Sequence, residues 1–191
     1  MPPLQRDISD ILPLGSTMPS FSLPNVDGRD ISNSFFDGAR GAVVGFSCNH
    51  CPYVKGSDQA LLELAGRFQS QGIRFVMISS NDAAQYPDDS FEKMKEKAEN
   101  MKLPFPYLYD ESQQVAKSFD AACTPEFYVF DADKKLVYHG TINNSPRHPQ
   151  EVTEHYLARA LEQLVAGTRP EPAFVHPIGC SIKWVQPVSV A

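Results

Sequence analysis

The sequence predicts an α/β fold, with a central mixed sheet flanked by helices, in one domain across residues 1–191. Three observations carry this. Two largely apolar runs, Ala42-Val43-Val44-Gly45-Phe46 and Ile73-Arg74-Phe75-Val76-Met77-Ile78, enclose a segment with apolar residues at helical spacing. Continuous apolar strands on either side of a helix imply a right-handed parallel crossover, the βαβ unit. Further on, Phe127-Tyr128-Val129-Phe130 and Lys135-Leu136-Val137-Tyr138-His139 flank Asp131-Ala132-Asp133-Lys134, a turn suited to an antiparallel pair, and an amphipathic helix follows to complete a ββα unit. Finally, Cys48-Asn49-His50-Cys51 stands where the first strand meets its helix. Two thiols spaced this way can close a small disulfide ring, and helix N-terminal amides can stabilise one thiolate.

The elements read in order as follows. Residues 17–33 form an N-terminal hairpin: Phe21 and Leu23 alternate, Asp27-Gly28 turns, and Ile31 resumes the apolar side. Ala42–Phe46 is a buried strand. From Pro52 to Ser70, Val54, Leu61, Leu64, Ala65 and Phe68 make one apolar helical face, with Pro52 tolerated in the first turn. Gly72 ends that helix, and Ile73–Ile78 is the next strand. A polar loop from Asn81 to Asp89 leads to a helix over Ser90–Met101, a strand within Pro104–Tyr109 and a short helix over Ser112–Phe119. After the hairpin, Glu151–Val165 is the last helix, with Val152, Tyr156, Ala160, Leu161 and Leu164 on its apolar side. Residues 167–191 are rich in proline yet carry Phe174, Ile178, Ile182 and Trp184, which predicts a tail packed on the domain.

Composition narrows the function classes. Seventeen basic and twenty-three acidic residues give a formal charge of −6, and no basic run stands out, so nucleic acid and anionic membranes are not expected partners. Met1-Pro2-Pro3-Leu4-Gln5-Arg6-Asp7 lacks the basic and apolar segments of a secretory leader, and no apolar run is long enough to span a membrane. A cytoplasmic location follows, where thiols stay reduced unless they are catalytic. The alternative for the cysteine pair is half of a zinc site. Cys123 and Cys180 are single and far apart, whereas a structural site usually has a second pair at similar spacing.

Several segments together resemble the peroxiredoxin-like branch of the AhpC/TSA thioredoxin-fold superfamily. They are Met18-Pro19-Ser20-Phe21-Ser22-Leu23, Gly45–Val54 around Cys-Asn-His-Cys-Pro-Tyr, Ser80-Asn81-Asp82 with Tyr86-Pro87-Asp88-Asp89-Ser90, Cys123–Asp131, and Gly179-Cys180-Ser181-Ile182-Lys183-Trp184. The resemblance covers nearly the whole chain and implies a thioredoxin-like fold. It also implies that Thr124-Pro125 holds a cis proline facing the cysteines. In the same comparison His50 occupies the place of a histidine found in strongly oxidising members; if protonated, it would favour a Cys48 thiolate well below the ~8.5 of a free cysteine. A solvated imidazole with little influence is the other reading of His50.

The first cysteine of such a pair is expected to point outward and the second inward, so Cys48 is assigned as nucleophile and Cys51 as resolving thiol. The chain departs from the Pro-x-x-x-Thr/Ser-x-x-Cys pattern of peroxiredoxins. With Cys51 in register, Cys48 and Val44 take the hydroxyl and proline positions; with Cys48 in register, Gly45 and Gly41 do. The strand before the cysteines has no ionisable residue, which leaves Glu126 and Asp82 as candidate proton acceptors, each also readable as a solvated surface acid. Cys123 and Cys180 are candidate auxiliary thiols, or small packed residues. Asn81, Asp82 and Tyr86 follow a strand end, in position either to contact substrate or to cap a loop. His139, His148, His155 and His176 show no metal-like spacing and read as surface or core residues.

The leading function is a thiol–disulfide oxidoreductase that cycles Cys48 and Cys51 between dithiol and disulfide, without a cofactor, on protein or small-molecule thiols and disulfides. A peroxiredoxin-like thiol peroxidase with an antioxidant role is the first alternative. A domain binding a soft metal through Cys48, Cys51 and a nearby histidine is the second.

Overall fold

A computed structural model describes residues 11–186; the expectations for the N-terminal leader and for positions 187–191 of the tail lie outside the described residues. β1 (Ser22–Pro24) and β2 (Asp30–Ser32) pair antiparallel with Leu23 opposite Ile31, as the hairpin reading expects. β3 (Gly41–Ser47) has all seven residues buried, because both faces of the sheet are covered. It pairs parallel with β4 (Ile73–Ser79), which in turn pairs parallel with β5 (Tyr107–Tyr109). On its other side β3 pairs antiparallel with β7 (Glu126–Asp131), and β7 pairs with β8 (Leu136–Gly140). The five-stranded order β5-β4-β3-β7-β8 is the mixed sheet of a thioredoxin-like fold.

Strand alternation divides the core into two layers. Val44, Phe46, Val76, Ile78, Tyr128 and Phe130 face one way, against Phe119 and the N-terminal hairpin. Val43, Phe75, Met77, Phe127 and Val129 face the other way, beneath α1 (Pro52–Phe68) and α4 (Tyr156–Val165). α1 continues into a 3-10 turn that closes at Gly72, whose φ of 88° is the left-handed conformation glycine adopts freely. α2 (Phe91–Met101) starts at Ser90, whose hydroxyl accepts the Lys93 N–H.

Some boundaries move for identifiable reasons. The last helix begins at Tyr156 and not at Glu151. Asn144 Oδ1 accepts the backbone N–H groups of Thr153 and Glu154 at 3.0 Å each, which holds residues 152–155 out of the helix, Val152 included. β5 is shorter than the Pro104–Tyr109 span because Pro104 and Pro106 lack the ladder N–H. α3 (Gln114–Ser118) is likewise shorter than Ser112–Phe119. Two strands have no sequence signature: β6 (Cys123–Thr124) and β9 (Cys180–Ser181) pair antiparallel, Cys123 opposite Ser181 and Thr124 opposite Cys180. This ladder fastens the tail to the loop before β7, while Ile182 is buried in the first layer with Trp184 packed beside it. The Thr124-Pro125 peptide is cis, as the resemblance implies, and so is Glu171-Pro172.

Glu126 is neither a surface acid nor free to accept protons from the thiols. It is fully buried, with Oε1 2.6 Å from His139 Nε2 and 3.0 Å from the Tyr128 hydroxyl, and Oε2 accepting the Ala122 and Cys123 N–H groups at 2.8 and 3.0 Å. His139 is a core residue with its ring stacked on Tyr128. Burial pushes the Glu126 carboxyl up. The hydrogen bond and attraction from His139, with the two backbone N–H groups, outweigh it and hold the pKa below the ordinary carboxylate value. The contribution to stability is therefore complete above the unfolded pKa and is lost as pH falls through the lower folded one. Glu126→Ala is expected to cost roughly 3–5 kcal/mol in urea unfolding at neutral pH, with the gap to wild type narrowing in acid.

Candidate active site

β3 ends at Ser47, and the Cys48-Asn49-His50 turn delivers Cys51 to the N-cap of α1, with Pro52 in the first turn. Both cysteines are wholly buried, contrary to the expectation that Cys48 points into solvent. The cis-proline loop and the tail account for this. Cys48 Sγ lies 3.4 Å from the Thr124 hydroxyl, Cys51 Sγ lies 3.2 Å from the Thr124 carbonyl oxygen, and Cys180 and Tyr53 pack against the Cys48, Cys51 and Val54 cluster. Thr124 and Pro125 thus sit at the site. So does Cys180, while Cys123 does not join that cluster; its sulfur is directed at the Pro125 carbonyl, 3.9 Å away. At Gly179 the tail comes so close that a Cβ would lie 2.2 Å from the Thr124 carbonyl oxygen, a distance only glycine allows.

A residue without an assigned role in the sequence organises the turn. Asp89 is fully buried, and its carboxylate accepts the Asn49 N–H at 2.7 Å, the His50 N–H at 3.1 Å and the Asn81 side-chain amide at 2.7 Å. The same carboxylate lies 2.5 Å from His50 Nδ1. His50 is therefore not a solvated imidazole: one ring nitrogen is engaged with Asp89 and the ring stacks on Tyr86 at 5.3 Å. Asn81 also accepts the Lys183 N–H at 2.9 Å, and Asp82 caps its own loop by accepting from Ala84. Neither Asn81 nor Asp82 faces a thiol partner, so both serve the loop and the tail.

Beneath the turn, Lys97 reaches the Cys48 carbonyl at 3.3 Å and pairs with Asp58 at 2.9 Å. Burial raises the Asp58 pKa, and Lys97 only partly offsets this. Asp58 on α1 is thus a half-buried acid of the kind β3 lacks; its position facing Lys97 on α2 depends on tertiary packing that no local motif reveals. His148, His155 and His176 belong to no metal-ligand grouping. Among the described residues that grouping is Cys48, His50 and Asp89, whose donor atoms lie within 4.8 Å of one another. The carboxylate there is already engaged by nitrogen donors that a metal ion would have to displace.

The two thiols divide unequally. The hydrogen bond to Cys51, then burial and the Asp89 charge, push the Cys48 thiol up. The hydrogen bond from Cys48 draws Cys51 down to about 4, against burial, with help from Cys180 and the Val54 N–H of the helix. The negative charge is thus favoured on Cys51, where the sequence reading expects it on Cys48: Asp89 beside Cys48 opposes its charge, while the helix amide favours that of Cys51. Thiolate ultraviolet absorbance should accordingly be lost as pH falls through about 4. That acid-side step should vanish in Cys51→Ser and move to higher pH in Cys48→Ala.

Comparison with known proteins fits this geometry. A structure of an uncharacterized conserved protein from Geobacillus kaustophilus superposes with a TM-score of 0.87 at 46% identity, covering 92% of this chain and 94% of that one. The thioredoxin domain of a thiol-disulfide oxidoreductase from Bacteroides vulgatus shares the fold, with a TM-score of 0.58 at 21% identity over 67% of this chain and 88% of that domain. Chloroplastic peroxiredoxin Q of Oryza sativa subsp. japonica is 31% identical over 105 residues, which is 55% of this chain and 45% of the rice protein. The chain thus spans less than half the length of that relative. Residues 14–139 match the AhpC/TSA family model, and with the fold and paired thiols in place, the chain belongs to the AhpC/TSA family.

Proposed function

We propose that the protein is a thiol–disulfide oxidoreductase whose Cys48 and Cys51 cycle between dithiol and disulfide. The observation that carries this reading is the pair itself: two thiols at the start of α1, against Thr124 and cis Pro125, with a thiolate favoured on Cys51. Cys51 is the nucleophile and Cys48, with its proton held, the partner that closes the ring. Asp58, half-buried and with a raised pKa, exchanges that proton. Thr124 orients both sulfurs, and His50 acts through Asp89 by fixing the turn. No bound cofactor enters the cycle. The substrates are disulfides and thiols of proteins or small molecules. The net charge of −6 argues against nucleic acid as a partner, and no helix among the described residues is long and apolar enough to cross a membrane. A reducing compartment such as the cytoplasm suits a disulfide that forms only in turnover.

A thiol peroxidase with an antioxidant role is the second reading, favoured by the likeness to peroxiredoxin Q and by the Thr124 hydroxyl beside Cys48. Burial of both sulfurs and the absence of the proline and hydroxyl in either register weigh against rapid peroxide turnover. Purified protein is expected to reduce a protein disulfide such as insulin with dithiothreitol as donor, and Cys48→Ser and Cys51→Ser each to lose roughly 100-fold or more of that rate. Peroxide consumption far exceeding disulfide reduction would sink the oxidoreductase reading in favour of the second.

A further inference from the structure

The thiols that carry the chemistry are wholly buried, so a bulky disulfide cannot reach them directly. Cys180 differs: it is partly exposed, and it packs on the Cys48–Cys51 cluster from the tail. Its backbone is paired with Thr124 in the β6–β9 ladder, and Gly179 presses against the Thr124 carbonyl. The tail beyond it is fastened by the Ile182 N–H on Ala122, the Asp82 N–H on the Lys183 carbonyl, and Gln113 donating to that same carbonyl. Cys180 is therefore fixed between solvent and the buried pair. Packing alone would be served by any small apolar residue; a thiol at this point adds exchange chemistry.

We propose that Cys180 is the entry thiol, relaying a disulfide between an external substrate and the Cys48–Cys51 pair. This rests on the dithiol cycle above and assigns its route. In the oxidising direction the Cys180 thiolate attacks an external disulfide, whose S–S bond breaks. A mixed disulfide forms on Cys180, and the first substrate thiolate leaves, taking up a proton. The Cys51 thiolate then attacks Cys180 Sγ, forming Cys51–Cys180 and expelling the second substrate thiolate, which is also protonated. Cys48, giving up its proton, attacks Cys51 Sγ; the Cys48–Cys51 bond forms and Cys180 is released as a thiolate. The substrate disulfide gains two electrons and two protons; the Cys48–Cys51 pair loses two electrons and the one proton it holds, and solvent supplies the second proton. The reductive direction runs the same bonds backward.

The electrostatics favour Cys180 as the thiolate released in the last step, while its first attack draws on a minor thiolate fraction. In the dithiol state burial, and then the hydrogen bond and charge of the Cys51 thiolate, push Cys180 up to about 11, against Lys183 and Arg147. Once Cys51 is in a disulfide its charge is gone, and the two cations remain to favour a Cys180 thiolate.

The test uses full-length protein and glutathione disulfide, with oxidation of the buried pair followed by thiol trapping and mass spectrometry. Cys180→Ser, which keeps a hydroxyl donor beside Cys51, is expected to form the Cys48–Cys51 disulfide roughly tenfold or more slowly than wild type. Cys48→Ser, oxidised in the same way, should accumulate a Cys51–Cys180 disulfide recoverable as a linked peptide. An unchanged or faster rate in Cys180→Ser, or the absence of that linked peptide, would overturn the relay while leaving the dithiol cycle standing. If the wild-type pair does not oxidise at all, both the cycle and the relay fall.

Discussion

The rest of the site depends on where a negative charge can be placed near a strand that has none. β3 is buried on both faces, and its seven residues include no acid, so the turn that leaves it cannot be organised from within its own strand. Asp89 does this from the segment that precedes α2. Its carboxylate engages two backbone N–H groups of the turn, the His50 ring and the Asn81 amide. A buried carboxylate is costly unless its lone pairs are filled, and here they are filled by the groups whose positions matter. Because Asn81 also holds Lys183, the tail and the thiol turn share one polar network.

This arrangement decides how charge is divided between the thiols. In the first cysteine's position, Cys48 lies close to Asp89; in the second, Cys51 stands at the helix N-cap, where the Val54 N–H favours its charge. A hydrogen-bonded pair sharing one proton puts the negative charge where the field is less hostile. The rule that the first cysteine is the exposed nucleophile assumes open solvent above it. That assumption fails where Thr124 and the tail close over the pair.

The sheet and its main helices were legible because their signals are local. The apolar runs at Ala42–Phe46 and Ile73–Ile78, the spacing from Val54 to Phe68, and Gly72 each declare themselves within a few residues. The cis proline at Pro125 was accessible through family resemblance, not through spacing. What escaped is what long-range contact creates. Asp89 reads as one acid in a Pro-Asp-Asp-Ser run, for which a solvated loop is the natural default. Glu126 looks like a surface residue until His139, thirteen positions away, is placed against it. The two-residue strands β6 and β9 carry no periodicity, so the position of Cys180 follows from a ladder that no window of sequence contains.

Gly179 gives the tail an evolutionary consequence. Any side chain there collides with the carbonyl that also lies against the Cys51 sulfur, and a backbone carbonyl cannot swing aside as a flexible side chain can. The tail and the thiol turn are therefore not independent modules open to separate drift. A substitution in this stretch of the tail is, in geometric terms, a substitution at the sulfurs, and any change to the tail must work around one residue that has no freedom to change.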